Sequence, residues 1–226
     1  MIDTTTEPAR PANWSEQRDM LRRLVIQRVA KLQAQYCQSE PMASAKAALA
    51  QLRRGSSTSD PSMALLGVDA FAVDVHTNVP DHCYPLNRDG NPVVLSDKAS
   101  QAEIAVYTAM TMYAIHQQSR RDGLHRLGDR PGAAFARIAR NGSEAAARRR
   151  FAALITATDF AELAHHLRTS IRLLRDGEIK LDYGQLAADL FTWQSTGGRD
   201  RVRLAWSRDF EYGINRQTSE TKKDES

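Results

Sequence analysis

Arginine is the residue whose placement in this 226-residue chain invites a chemical reading. Arg148, Arg149 and Arg150 stand in a row, and Arg168, Arg172 and Arg175 recur at spacings of four and three. Arg53 and Arg54 form one pair, Arg120 and Arg121 another, and Arg126 follows shortly after. A guanidinium is a planar, permanently charged fork of donors that matches phosphate and carboxylate oxygens two at a time. The chemistry on offer is anion binding, with nucleic-acid phosphates or protein carboxylates as the anions. A GC-rich genome also favours arginine codons, so position carries more weight than number.

The parts of a catalytic site are missing from the sequence. It contains no G-x-x-x-x-G-K-[ST] phosphate loop, no H-E-x-x-H, no G-x-S-x-G and no His-Asp dipeptide. Glu162-x-x-His165 has the spacing of half a di-iron carboxylate site, but no second Glu-x-x-His exists to complete it. His76, His82 and Cys83 lack a regular ligand spacing, and Cys37 and Cys83 form no C-x-x-C. No metal, cofactor or enzymatic activity is expected. Two isolated cysteines fit a reducing cytosol. Met1 to Asn13 has no apolar core, and no run approaches the ~20 apolar residues of a membrane span. The expectation is a cytoplasmic protein with no membrane partner.

The elements that carry the arginines read as helices. The net charge of +4 arises beyond residue 100, since the first hundred residues hold as many acids as bases. Arg148 to Arg150 lie on a helix whose apolar arc is Ala147, Phe151, Leu154 and Ile155 and whose only acid is Glu144. Successive residues rotate by ~100°, so Arg149 points away from that arc and its two neighbours flank it. On the next helix, Phe160, Leu163, Leu167, Ile171 and Leu174 form one face, and His165, Arg168, Arg172 and Arg175 run beside it. Like charges at these spacings repel, so either acidic neighbours or an anionic partner must compensate. Arg53 and Arg54 close a helix, where cations also complement the macrodipole. That pair therefore has a structural reading beside the ligand one.

Ile104 to Ile115 shows no polar face, which predicts a helix buried nearly all round. With Ser100 and Glu103 as a capping box, a central helix is expected over about 97–122, with Gly123 just past its end. Pro131 opens the next helix, and Asn13, Ser143, Asp159 and Asp182 are further cap candidates. Trp193 and Trp206 lie on apolar stripes and read as core. No strand pairing is visible, so the class is all-α, built of helical bundles. We expect an N-terminal helical part over 13–130 and a C-terminal bundle over 131–216. Ala64 to Val75 reads as a short helix, and 76–96, with Pro80, Pro85, Gly90 and Pro92, as an irregular loop. Residues 1–12 and 217–226 are expected to be disordered.

Several segments, in order, resemble one family. Leu52-Arg53-Arg54 comes first, then Tyr113-Ala-Ile-His-Gln-Gln-Ser119 and Leu124-His-Arg-Leu-Gly128. Arg149-Arg150-Phe151, His165-His-Leu-Arg168, Leu181-Asp-Tyr183, Leu190 to Gln194, Trp206 and Asp209-Phe210 follow. Together, from about Leu49 to Phe210, they resemble the CasB family, the small subunit of the type I-E CRISPR interference complex Cascade. The Ser56–Asp97 stretch departs from that pattern. The resemblance implies a non-catalytic subunit, present in two copies beside other Cascade subunits. It would contact guide RNA and the target and non-target DNA strands, and stabilise the R-loop. It further implies Arg54, Arg120, Arg121, Arg126, Arg149 and Arg150 as contacts, with Arg53 in the same Leu-Arg-Arg segment. Helical geometry adds Arg148, Arg168 and Arg172. Gln117 and Gln118 are candidates to lock the helix tip internally. Two other readings stand beside this one: a free-standing helical DNA-binding regulator, and a structural module whose arginines pair with protein carboxylates.

Overall fold

The computed structural model describes residues 13–55, 79 and 99–224. Among them are eight α-helices, one short 3-10 helix and an isolated parallel bridge between His125 and Leu181. The all-α expectation holds. The readings for 1–12, for Ala64 to Val75 and for the loop at 76–96 lie outside the described residues, apart from Val79, which is buried in the core.

Local chemistry sets most boundaries. Helix α1 (Trp14–Tyr36) begins on Asn13, whose side chain accepts from the Glu16 N–H while the Glu16 carboxylate accepts from the Asn13 N–H. Helix α2 (Ala43–Gly55) ends with Arg53 and Arg54 in its last turn. Helix α3 (Gln101–His116) starts with the same reciprocal cap between Ser100 and Glu103. From Ala105 to His116 every residue of α3 is buried.

The central helix is shorter than the expected 97–122. Its start is fixed by the Ser100 cap and its end by Gln117, which is fully buried. Gln117 Nε2 donates to the carbonyls of Arg120 at 3.0 Å and Asp122 at 2.9 Å, and Oε1 accepts from the Leu124 N–H at 3.1 Å. These bonds fold 117–124 into a closed turn, and Ser119 takes the left-handed conformation at φ 60°. Gly123 is not the residue after the helix. It lies under the Gln33 side chain, where a Cβ would collide. Gln118 is exposed and takes no part in the lock.

Helix α4 (Pro131–Arg137) has proline at its first position and passes into the 3-10 turn Ile138–Asn141. Helices α5 (Glu144–Thr156), α6 (Phe160–Asp176) and α7 (Tyr183–Trp193) start on the side chains of Ser143, Asp159 and Asp182. Helix α8 (Gly198–Asp224) runs well into the tail that its polarity marks as disordered. Residues 217–224 contain neither glycine nor proline to stop it, and they extend a helix already nucleated by packing.

Helix α3 is the axis of the molecule, with α1, α2, α6 and α7 packed on it, while α8 crosses α4 and α7. The α4–α8 crossing depends on two glycines. A Cβ on Gly132 would strike the Trp206 carbonyl oxygen, and one on Gly213 would lie 2.7 Å from the Ala136 Cβ. Val25 of α1, Met110 of α3, Leu190 of α7 and Phe210 of α8 belong to a single core. Residues on both sides of the expected 130/131 boundary share it. Trp193 and Trp206 are buried, and the Trp206 Nε1–H donates to Asp189 at 2.7 Å.

Candidate nucleic-acid interface

The structure holds some of the predicted arginines on carboxylates of their own chain and leaves Arg149 and Arg150 without such a partner among the described residues. Arg148 is held. Its guanidinium donates to Glu144 at 2.8 Å and, through both terminal nitrogens, to Glu211 at 2.6 and 3.1 Å. This fastens α5 to α8 across the stacked rings of Phe151 and Phe210, whose centroids are 4.0 Å apart. Arg149 and Arg150, the next two residues, are exposed and make no ion pair or hydrogen bond among the described residues. The helix thus pins its first arginine and leaves the following two in solvent.

Arg120 and Arg121 sit on the turn built by Gln117. Arg120 reaches Glu178 at 2.6 Å, whereas Arg121 is exposed. With Asp122, Glu178 and Lys180 they border an open hollow of about 320 Å³. Arg126 donates twice to Asp129, at 2.5 and 3.0 Å, and Arg137 reaches the same carboxylate. Burial pushes the Asp129 carboxyl up, but the two guanidiniums outweigh it and leave the group below its ordinary range.

On α6, Arg168 is half-buried beside Tyr107, and Arg172 is exposed. Desolvation lowers the Arg168 pKa, and the neighbouring Arg172 charge lowers it further. The third arginine of that stripe, Arg175, folds onto Asp176 at 3.0 Å. On α2, Arg53 is half-buried, with Nη1 3.4 Å from the Ala114 carbonyl oxygen of α3, and Arg54 is exposed. Arg120 with Arg121, Arg148 with Arg149 and Arg150, and Arg168 with Arg172 are each neighbours on one element. They do not converge on a single pocket.

Sequence reasoning passed over Arg137, Arg140 and Arg216, which the fold brings to Arg126 at the α4–α8 crossing. The three-residue spacing of Arg137 and Arg140 was a local signal for two of them. Nothing local announces Arg216, which arrives from the end of α8. Among the described residues no group of three or more His, Cys, Asp or Glu side chains is placed to hold a metal ion. No helix among them is long and apolar enough to cross a membrane.

These features define a class: an all-α protein with one core and exposed arginines on several of its helices. Comparison with known proteins makes it specific. The family model for CRISPR-associated protein Cse2 matches residues 48–210. CasB from Thermobifida fusca is 32% identical, with a TM-score of 0.62 over 88% of this chain and 98% of its own. A Cse2-family protein from Thermus thermophilus is 23% identical, with a TM-score of 0.55 over 84% and 97% of the two chains. CasB from M. ruber is 19% identical, with a TM-score of 0.56 over 88% and 97%. No curated protein matches. The chain belongs to the Cse2 family of CRISPR-associated proteins, and the resemblance to CasB stated from its motifs is correct.

Proposed function

We propose that this chain is the non-catalytic small subunit of a type I-E Cascade complex, a cytoplasmic assembly of antiviral defence. It binds RNA and DNA strands through arginine side chains without reading their sequence, and so stabilises the R-loop. Its partners are the guide RNA, the target and non-target strands, other Cascade subunits and a second copy of itself. R-loop formation exchanges one duplex for another of similar stability, so backbone contacts suffice to tip it. The observation that carries this reading is the pair Arg149 and Arg150, exposed and without an ion pair among the described residues. They stand on a helix whose Arg148 is clamped to two glutamates. Arg54, Arg121 and Arg172 are further exposed contacts on the same reading, with Arg53, Arg120, Arg126 and Arg168 in supporting places.

The test is fluorescence anisotropy of unrelated single-stranded and duplex oligonucleotides against salt, with wild type and Arg149→Ala/Arg150→Ala. Binding indifferent to sequence is expected, with a log–log salt slope that flattens by ~0.7 per lost single-strand phosphate contact. A sharp preference for one duplex would instead mark a regulator. A protein-interaction module is the second reading, favoured by the carboxylate partners of Arg120, Arg126 and Arg148. Absence of nucleic-acid binding, alone and in a reconstituted complex, would decide for that module.

A further inference from the structure

We propose that the cleft where α4 crosses α8 is a nucleotide site of its own. It takes a phosphodiester of a single strand on Arg137, Arg140 and Arg216, and stacks the attached base on Tyr212. This rests on the nucleic-acid reading above and adds a place for the strand that is distinct from Arg149 and Arg150.

The cleft encloses about 380 Å³ and is bordered by Arg126, Arg137, Arg140 and Arg216, with Asp129 as its only carboxylate. That volume lies within the ~300–1,000 Å³ of ligand sites. Asp129 is buried and engaged by both Arg126 and Arg137. Arg140 and Arg216 also touch other groups of the chain, so binding exchanges contacts there. Tyr212 stands on the same border and is 70% exposed, among the largest apolar exposures on the described surface.

A ring turned to solvent beside several guanidiniums is the pairing that single-strand binders use, cations for the backbone and an aromatic face for a base. An acidic peptide would satisfy the guanidiniums and leave the ring uncovered. Close helix packing holds the arrangement together. Gly213, next to Tyr212, brings α8 against Ala136 and so carries Tyr212 and Arg216 up to Arg137 and Arg140.

The experiment uses the full chain and a fluorescent dT12 bearing 5-iodouracil, with photo-adducts mapped by mass spectrometry. The expected adduct is on Tyr212. Tyr212→Ala should weaken dT12 binding at least about fivefold, as the loss of one base stack does. Arg140→Ala/Arg216→Ala should flatten the salt slope by ~1.4, two phosphate contacts' worth. If wild type binds dT12 but both variants match it, or the adduct lies elsewhere, the cleft is not the site while the general reading stands. If wild type binds dT12 neither alone nor in a reconstituted complex, both fall. Should the arginine variant fail to fold, the exposed Tyr212→Ala decides. Capture of a hexaglutamate peptide, lost in these variants while dT12 binding is kept, would assign the cleft to protein carboxylates and overturn the proposal.

Discussion

Arg148 and its two successors share a residue type and a helix, yet their surroundings give them different work. Arg148 has 40% of its side chain exposed and bridges two glutamates that are themselves about half exposed. Such pairs contribute ~1 kcal/mol or less. Arg148→Ala should therefore lower stability by at most about that amount in urea denaturation, with the nucleic-acid salt slope unchanged. Arg149→Ala/Arg150→Ala should do the reverse. A titration test sits at His116, which is fully buried with Nδ1 2.8 Å from the Tyr183 hydroxyl. Burial holds its pKa down to about 3, against about 6.5 unfolded. The unfolded chain thus binds a proton in this window that the folded chain refuses. The contribution is complete above pH 6.5 and is lost as pH falls toward 3, by up to about 1.4 kcal/mol per pH unit. His116→Gln should flatten the urea midpoint against pH between 6.5 and 4, and an unchanged profile would refute the assignment.

Among elements, the 117–124 turn and the α4–α8 crossing are the places where one side chain decides geometry. Gln117 satisfies three backbone groups from a buried position. Gln117→Ala orphans them and should cost about 1–3 kcal/mol per group that stays unsatisfied, read as a lowered urea midpoint. Gly132→Ala places a methyl against the Trp206 carbonyl and should destabilise by about 1–3 kcal/mol, the usual scale of overpacking. Helix starts were legible in the sequence because a cap is local: Asn13, Ser100, Ser143, Asp159 and Asp182 each bond the backbone three residues on. The end of α3 was not. Its polar tip looked like more helix, whereas Gln117 folds back onto 120–124 and Gln33 of α1 holds the His125 backbone N–H at 2.9 Å from 92 residues away. Which arginines a carboxylate holds was equally hidden, since Glu211 and Glu178 lie 63 and 58 residues from the guanidiniums of Arg148 and Arg120.

At the scale of the whole molecule, α3 belongs to both halves of the chain, packing on α1 and α2 as well as on α6 and α7. Asp182 ties them too, capping α7, accepting from the Gly128 N–H at 3.0 Å and facing Arg22 of α1 at 3.5 Å. A chain with one core should unfold as one unit. Far-ultraviolet dichroism and tryptophan emission are therefore expected to give coincident urea transitions, and two separated transitions would mean that the halves fold apart. The burial of α3 also has a consequence for biosynthesis. Its apolar residues leave the ribosome before Tyr183–Trp193, the α7 segment that covers them, has been translated. At roughly 5–20 residues per second that interval lasts several seconds. During it the nascent chain presents a helix with no face suited to water, the kind of exposed apolar surface that makes a partly made chain prone to aggregate.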